Sequence, residues 1–105
     1  MPAYMIVNVT VKDAEKIKEY IASTPEVIGK YSGRFLARGG EMWVAEGNWK
    51  PGRLVIVEFD SLEKAKEFWN SEDYKPLKAL RQSAADTEMV MVEGISAEMA
   101  EMLNG

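Results

Sequence analysis

The sequence predicts an α+β protein, an antiparallel sheet with its helices packed on one face. Two observations carry most of this. Residues Arg53 to Arg81 read as a strand, a sharp helix start and a helix in two parts, which is half of a split β-α-β layer. The remaining segments complete the order β-α-β-β-β-α-β, with one middle strand short. Right-handed crossovers in such an order place the helices on the same side of the sheet.

Taken in order, Tyr4 to Val11 alternates as a first strand with Met5, Val7 and Val9 on one side and Tyr4, Ile6 and Asn8 on the other. Asp13 can cap a helix whose inward stripe is Ala14, Ile17, Tyr20 and Ile21. Pro25 is expected to interrupt that helix, because it removes an amide and disfavours helical geometry at Thr24; Val27, Ile28 and Tyr31 then form a second short piece. After Gly33, Arg34 to Arg38 is strand-like and stops at Gly39-Gly40, and Met42 to Glu46 is expected to return as a short edge strand carrying Trp43. Gly47 to Gly52 is a loop by composition, with Trp49 inside it.

Leu54 to Phe59 is a largely buried strand, rich in β-branched residues. Asp60 and Glu63 have the spacing of a capping box, and Leu62, Ala65, Phe68 and Trp69 fall on one helix face. Ser71-Glu72-Asp73 breaks this helix and caps its second part, where Tyr74, Leu77 and Leu80 recur and Pro76 sits in the tolerated first turn. Glu88 to Glu93 alternates as the last strand. The organisation is thus one domain over residues 1–95 and a tail over 96–105, expected to be helical, with Met99, Met102 and Leu103 on one side for packing against a partner subunit.

Composition removes whole classes of function. The 105 residues include no cysteine and no histidine, which excludes disulfide frameworks, thiolate nucleophiles, histidine-ligated metals and Ser-His-Asp triads. No metal and no cofactor is expected. A net charge of −4 without a basic stripe argues against nucleic acid. No apolar run approaches the roughly 20 residues that span a bilayer, and no secretory leader is visible, so a cytoplasmic location is expected.

Sorting the strands by parity yields one uniformly apolar set, Met5, Val7, Val9, Phe35, Ala37, Val55, Val57, Phe59, Val90 and Val92, which should lie under the helices. The other set mixes Tyr4, Ile6, Leu36, Leu54, Ile56, Met89 and Met91 with Asn8, Arg34, Arg38, Glu58 and Glu93. Burying five of those large apolar side chains is worth on the order of 1.5–3 kcal/mol each, so a second layer is favoured. The simplest second layer is another copy of the chain, and a homodimer through this sheet face is expected.

Several runs also resemble a known family. Gly33-Arg34-Phe35-Leu36-Ala37-Arg38-Gly39-Gly40, Glu46-Gly47-Asn48-Trp49-Lys50-Pro51, Arg53 through Ser61, Trp69 through Tyr74 and Lys78-Ala79-Leu80-Arg81 are similar to the bacterial family called domain of unknown function 1330, over about Tyr4 to Gly94. The resemblance implies a ferredoxin-like fold assembled as a dimeric α/β barrel, but no activity. The wider superfamily includes cofactor-independent monooxygenases, lactone isomerases, haem-degrading enzymes and ligand-sensing domains. Asn8 and Trp69 are superficially like residues of the haem-degrading members, but their iron-ligating histidine has no counterpart here.

The leading expectation is a homodimer that binds a small, partly aromatic or anionic molecule. If it is an enzyme of the monooxygenase or isomerase type, Glu58 is the candidate base, Arg38 the partner of a developing oxyanion and Asn8 an orienting amide. Trp69 and Tyr74 would then form pocket wall. Tyr74 and Arg81, seven residues apart, share a helix face and can reach one cavity rim. Trp43 and Trp49 either cover the barrel mouth or enter the dimer contact. The competing reading is a non-catalytic structural or metabolite-sensing dimer, in which Arg34 or Arg38 pairs with Glu58 or Glu93 across the sheet.

Overall fold

The computed structural model describes residues 1–105. Strand β1 (Ala3–Val11) is central, flanked by β3 (Arg53–Phe59) and β4 (Ala85–Glu93), and β2 (Arg34–Arg38) pairs with the far side of β3. The order β2-β3-β1-β4 is antiparallel throughout. Helices α1 (Ala14–Lys30), α2 (Leu62–Asn70) and α3 (Lys75–Ala84) cover one face, which makes the fold ferredoxin-like. A last helix, α4 (Ala97–Asn104), follows the sheet and buries none of its residues. No helix is long and apolar enough to cross a membrane.

The core forms where the apolar parity of the two central strands meets the helix stripes. Met5, Val7, Val57 and Phe59 rise from β1 and β3 to meet Ile28, Ala65, Phe68 and Tyr74. The Phe68 ring lies 5.6 Å from Phe59 and 4.2 Å from Tyr74, so one aromatic stack joins the sheet to both pieces of the α2–α3 unit. Each of these large buried side chains contributes on the order of 1.5–3 kcal/mol.

Local chemistry sets the element ends. Asp13 accepts from the amides of Glu15 and Lys16 at the start of α1. Ser61, not Asp60, caps α2, accepting from the Lys64 amide at 3.1 Å. Asp60 instead faces Arg34 at 3.7 Å. Ser71 joins the two helices, donating to the Phe68 carbonyl and accepting from the Tyr74 amide.

Four further expectations change. Helix α1 runs unbroken through Pro25 over 17 residues. The proline leaves one carbonyl, that of Ile21, without its helical amide, and a side chain from β2 takes it. Residues 42–46 form no strand. Gly39, with φ of +68°, turns the chain away after its amide bonds Leu54, and Trp43 is left 89% exposed.

The parity of β4 is the reverse of the expected one. Met91 pairs with Met5 and Met89 with Val7, so the methionines lie on the helix side and Val90 and Val92 on the open side. Both parities of β4 are apolar, so composition could not decide between them. In β2 a bulge falls at Leu36: Phe35 pairs with Val57, but Ala37 pairs with Ile56 and Arg38 with Val55. One extra residue inverts the parity beyond it, which moves Arg38 from the open face to the helix face.

Candidate functional site

The bulge delivers Arg38 to a cleft between the sheet and α1. Fourteen residues line this cleft and ten are hydrophobic; the other four are Thr24, Arg38, Arg53 and Arg81. The cleft is small, with a cavity volume of about 50 Å³.

Each arginine is held by the local chain. The Arg38 guanidinium donates to the Ile21 carbonyl at 2.6 Å and lies 4.5 Å from the centre of the Phe35 ring. Arg53 starts β3 in the parity of Val55 and Val57, and its side chain runs across Gly39. A Cβ at Gly39 would come within 2.4 Å of Arg53 Nε, so the glycine after Arg38 is needed both for its positive φ and for this close approach. The Arg53 Nε is buried and has no hydrogen-bond partner. Arg81, only 2% exposed, donates to the Tyr74 hydroxyl at 3.2 Å and to the Thr87 hydroxyl.

None of these three guanidiniums has a carboxylate partner. Of the chain's four arginines, Arg34 alone forms ion pairs, with Glu58 and Asp60. Burial, and after it the neighbouring charge of Arg53, pushes the Arg38 pKa down. A cation that is desolvated beside another cation, with no acid at hand, is a place where an anion is stabilised.

The remaining polar groups of the cleft are Thr24, which donates to the Tyr20 carbonyl, and Tyr20. The Tyr20 hydroxyl lies 2.8 Å from that of Tyr74, and burial, followed by the influence of Tyr74, raises its pKa far above the ordinary tyrosine value. The phenol is therefore neutral across physiological pH.

The candidate residues from the sequence divide between the two faces. Trp69, Tyr74 and Arg81 come together behind the cleft: the Trp69 ring is 6.0 Å from Tyr74, and Lys78 sits 3.9 Å above it. Tyr74 is fully buried core whose hydroxyl reaches inward to Arg81 and Tyr20. Arg38 is at the cleft, but Asn8 and Glu58 are on the open face and do not join it. Glu58 accepts from Arg34, and the hydroxyl of Tyr4, whose pKa it raises, is its other neighbour. Asn8 accepts from the Gly52 amide at 2.9 Å and donates to Glu88 at 3.3 Å, tying the end of the 39–52 loop to β1 and β4. Asn8 pairs with Leu54, four residues from Glu58 along β3 and so roughly 13 Å away. Trp49 borders a shallow groove on this open face with Ile6, Leu54 and Val90, while Trp43 extends into solvent.

Two residues of the cleft, Arg53 and Tyr20, carry no chemical motif in the sequence. Arg53 carried a legible signal, since it extends the apolar parity of Val55, Val57 and Phe59 by one polar residue. Tyr20 was placed on the inward stripe of α1, but its partner Tyr74 is 54 residues away and no local pattern links them.

Other proteins share this architecture. The RPA0582 protein of unknown function from Rhodopseudomonas palustris superposes with a TM-score of 0.71 at 18% identity, over 90% of this chain and 83% of that one. A dimeric ferredoxin-like protein of unknown function from Jannaschia sp. CCS1 gives 0.67 at 10% identity, over 90% and 100%. SnoaB, a cofactor-independent oxygenase from Streptomyces nogalater, gives 0.66 at 11% identity, over 91% and 95%. At these identities the likeness is one of fold alone. No curated protein is similar enough to count as a match. The family model described as "Domain of unknown function (DUF1330)" matches residues 2–95, nearly the whole chain up to the start of α4, and the protein belongs to that family.

Proposed function

We propose that this protein binds a small, flat, largely apolar anion in the cleft between the sheet and α1, with the anionic group on Arg38 and Arg53 and the apolar body against the β-sheet. The observation that carries this is the meeting of three carboxylate-free guanidiniums on a largely apolar wall. Trp69 and Tyr74 support the site from behind Arg81 rather than forming its surface. Cofactor-independent oxygenase or isomerase chemistry would rest on Glu58 as base, and Glu58 is committed to Arg34 on the other face. No carboxylate or lysine lines the cleft, so the reading favoured is binding without a resident carboxylate base.

The same proposal includes a cytoplasmic homodimer through the open sheet face. Leu36, Val90 and Val92 are about half exposed there, and Trp43 and Trp49 flank them on the 39–52 loop. Uncovered apolar surface of this kind favours a second layer. Relatives of the same fold are described as dimeric. The exposed Met99, Met102 and Leu103 of α4 are read as part of that contact.

Titration calorimetry with benzoate and with its neutral isostere benzamide tests the cleft. Benzoate binds and benzamide does not, and Arg53→Gln removes the heat of benzoate binding. Equal binding of the two probes, or none by either, would overturn the reading.

A further inference from the structure

The hydrogen bonds behind the cleft have only one satisfactory direction. A guanidinium has donors and no acceptor, so at the Arg81–Tyr74 contact the tyrosine oxygen accepts. Tyr74 is fully buried, and apart from Arg81 its hydroxyl has one partner, the hydroxyl of Tyr20. If Tyr20 were the donor to Tyr74, the hydrogen of Tyr74 would be buried without an acceptor, at a loss comparable to a broken hydrogen bond. The Tyr74 hydroxyl therefore donates to Tyr20, and the chain runs from Arg81 through Tyr74 to Tyr20.

The hydrogen of Tyr20 is then left over. Tyr20 itself lines the cleft, and besides Tyr74 the one other hydroxyl beside its own is that of Thr24, which also lines the cleft and gives its hydrogen to the Tyr20 carbonyl. Burial holds the phenol neutral, so it keeps that hydrogen throughout the physiological range. An arginine at the head of the chain also strengthens the terminal donor, because successive hydrogen bonds polarise one another.

We infer that Tyr20 is a hydrogen-bond donor to a second oxygen of the bound anion, which makes the ligand class a planar oxo acid. Its carboxylate rests on Arg38 and Arg53, and a ketone or aldehyde oxygen accepts from Tyr20. This inference rests on the anion-binding reading above. Tyr20 acts here by direct contact with the ligand, whereas Tyr74 and Arg81 are positioning residues that act through it.

The test compares 3- and 4-acetylbenzoate with the isopropylbenzoates of the same ring positions, which match them in shape but lack the acceptor. In the wild-type protein at least one acetyl compound binds about fivefold more tightly than its isopropyl counterpart, the worth of one neutral hydrogen bond. Its ketone stretch shifts to lower frequency in the infrared spectrum when bound. Tyr20→Phe abolishes the preference and the shift while isopropylbenzoate affinity stays the same; a merely structural role would weaken both ligands alike. If benzoate binds but the paired compounds bind equally, or neither fits, or the ketone stretch does not move, the Tyr20 assignment is overturned and the anion site stands. If benzoate itself does not bind, the anion reading falls. The infrared measurement needs no variant, so a folding defect in Tyr20→Phe leaves the inference testable.

Discussion

Arg38 donates to the backbone carbonyl of Ile21, the one carbonyl in α1 that Pro25 leaves without a helical amide. The proline and the arginine are 13 residues apart in the chain, and the bulge at Leu36 is what turns Arg38 toward the helix. A residue that looked like a helix breaker is thus the reason that a charged side chain has a fixed seat beside the cleft.

Replacing that proline should separate the two roles. In Pro25→Ala the restored amide competes for the Ile21 carbonyl, and Arg38 loses its anchor. Helical content by circular dichroism is retained, and benzoate affinity falls about threefold, somewhat less than the loss of a full hydrogen bond. Unchanged affinity would mean that the anchor does not position Arg38.

Arg53→Met removes one of two neighbouring cations and a buried Nε that lacks a partner. The ligand-free protein should gain about 1 kcal/mol of stability in urea unfolding while anion binding drops at least about tenfold. Loss of both stability and binding would show that Arg53 is a structural residue.

Gly39→Ala meets Arg53 Nε at 2.4 Å and forces a non-glycine residue to a φ of +68°. The expected loss is about 1–3 kcal/mol. Gly40→Ala, where an added Cβ meets nothing, should be close to neutral. Equal effects at the two positions would contradict the packing described for Arg53.

Alkaline unfolding reports on Tyr20. Its folded pKa is raised, so the native state holds a proton that the unfolded chain releases, and stability present below about pH 10 is lost as pH rises beyond it. Between pH 10 and 12 the thermal midpoint of Tyr20→Phe should fall less steeply than that of the wild type. Parallel curves would mean that this phenol does not contribute to the alkaline limb.

Val90→Asp places a charge on the open face of the edge strand β4. Sedimentation equilibrium should show the wild type at twice the chain mass and the variant at the chain mass, with the cleft still able to bind benzoate. A wild-type monomer would remove the dimer from the proposal.

Much of this protein was settled by local sequence. Alternation in β1 and β3, the split helix around Ser71, Pro76 in its tolerated first turn and the cap at Asp13 follow from residue type and spacing, because each concerns groups a few residues apart. The family signal in Arg38-Gly39-Gly40 was equally plain, although its reason was not. Tertiary structure decided the rest. The bulge at Leu36 depends on how β2 registers against β3, and it alone determines which face receives Arg38. The parity of β4 was undecidable while both its faces were apolar, until pairing with Met5 and Val7 chose one. Glu58 went to Arg34 because residues directly opposite in an antiparallel pair meet on the same face. The Arg81–Tyr74–Tyr20 chain exists only once α1 and α3 lie side by side, since direction in a hydrogen-bond chain depends on which partners burial leaves available.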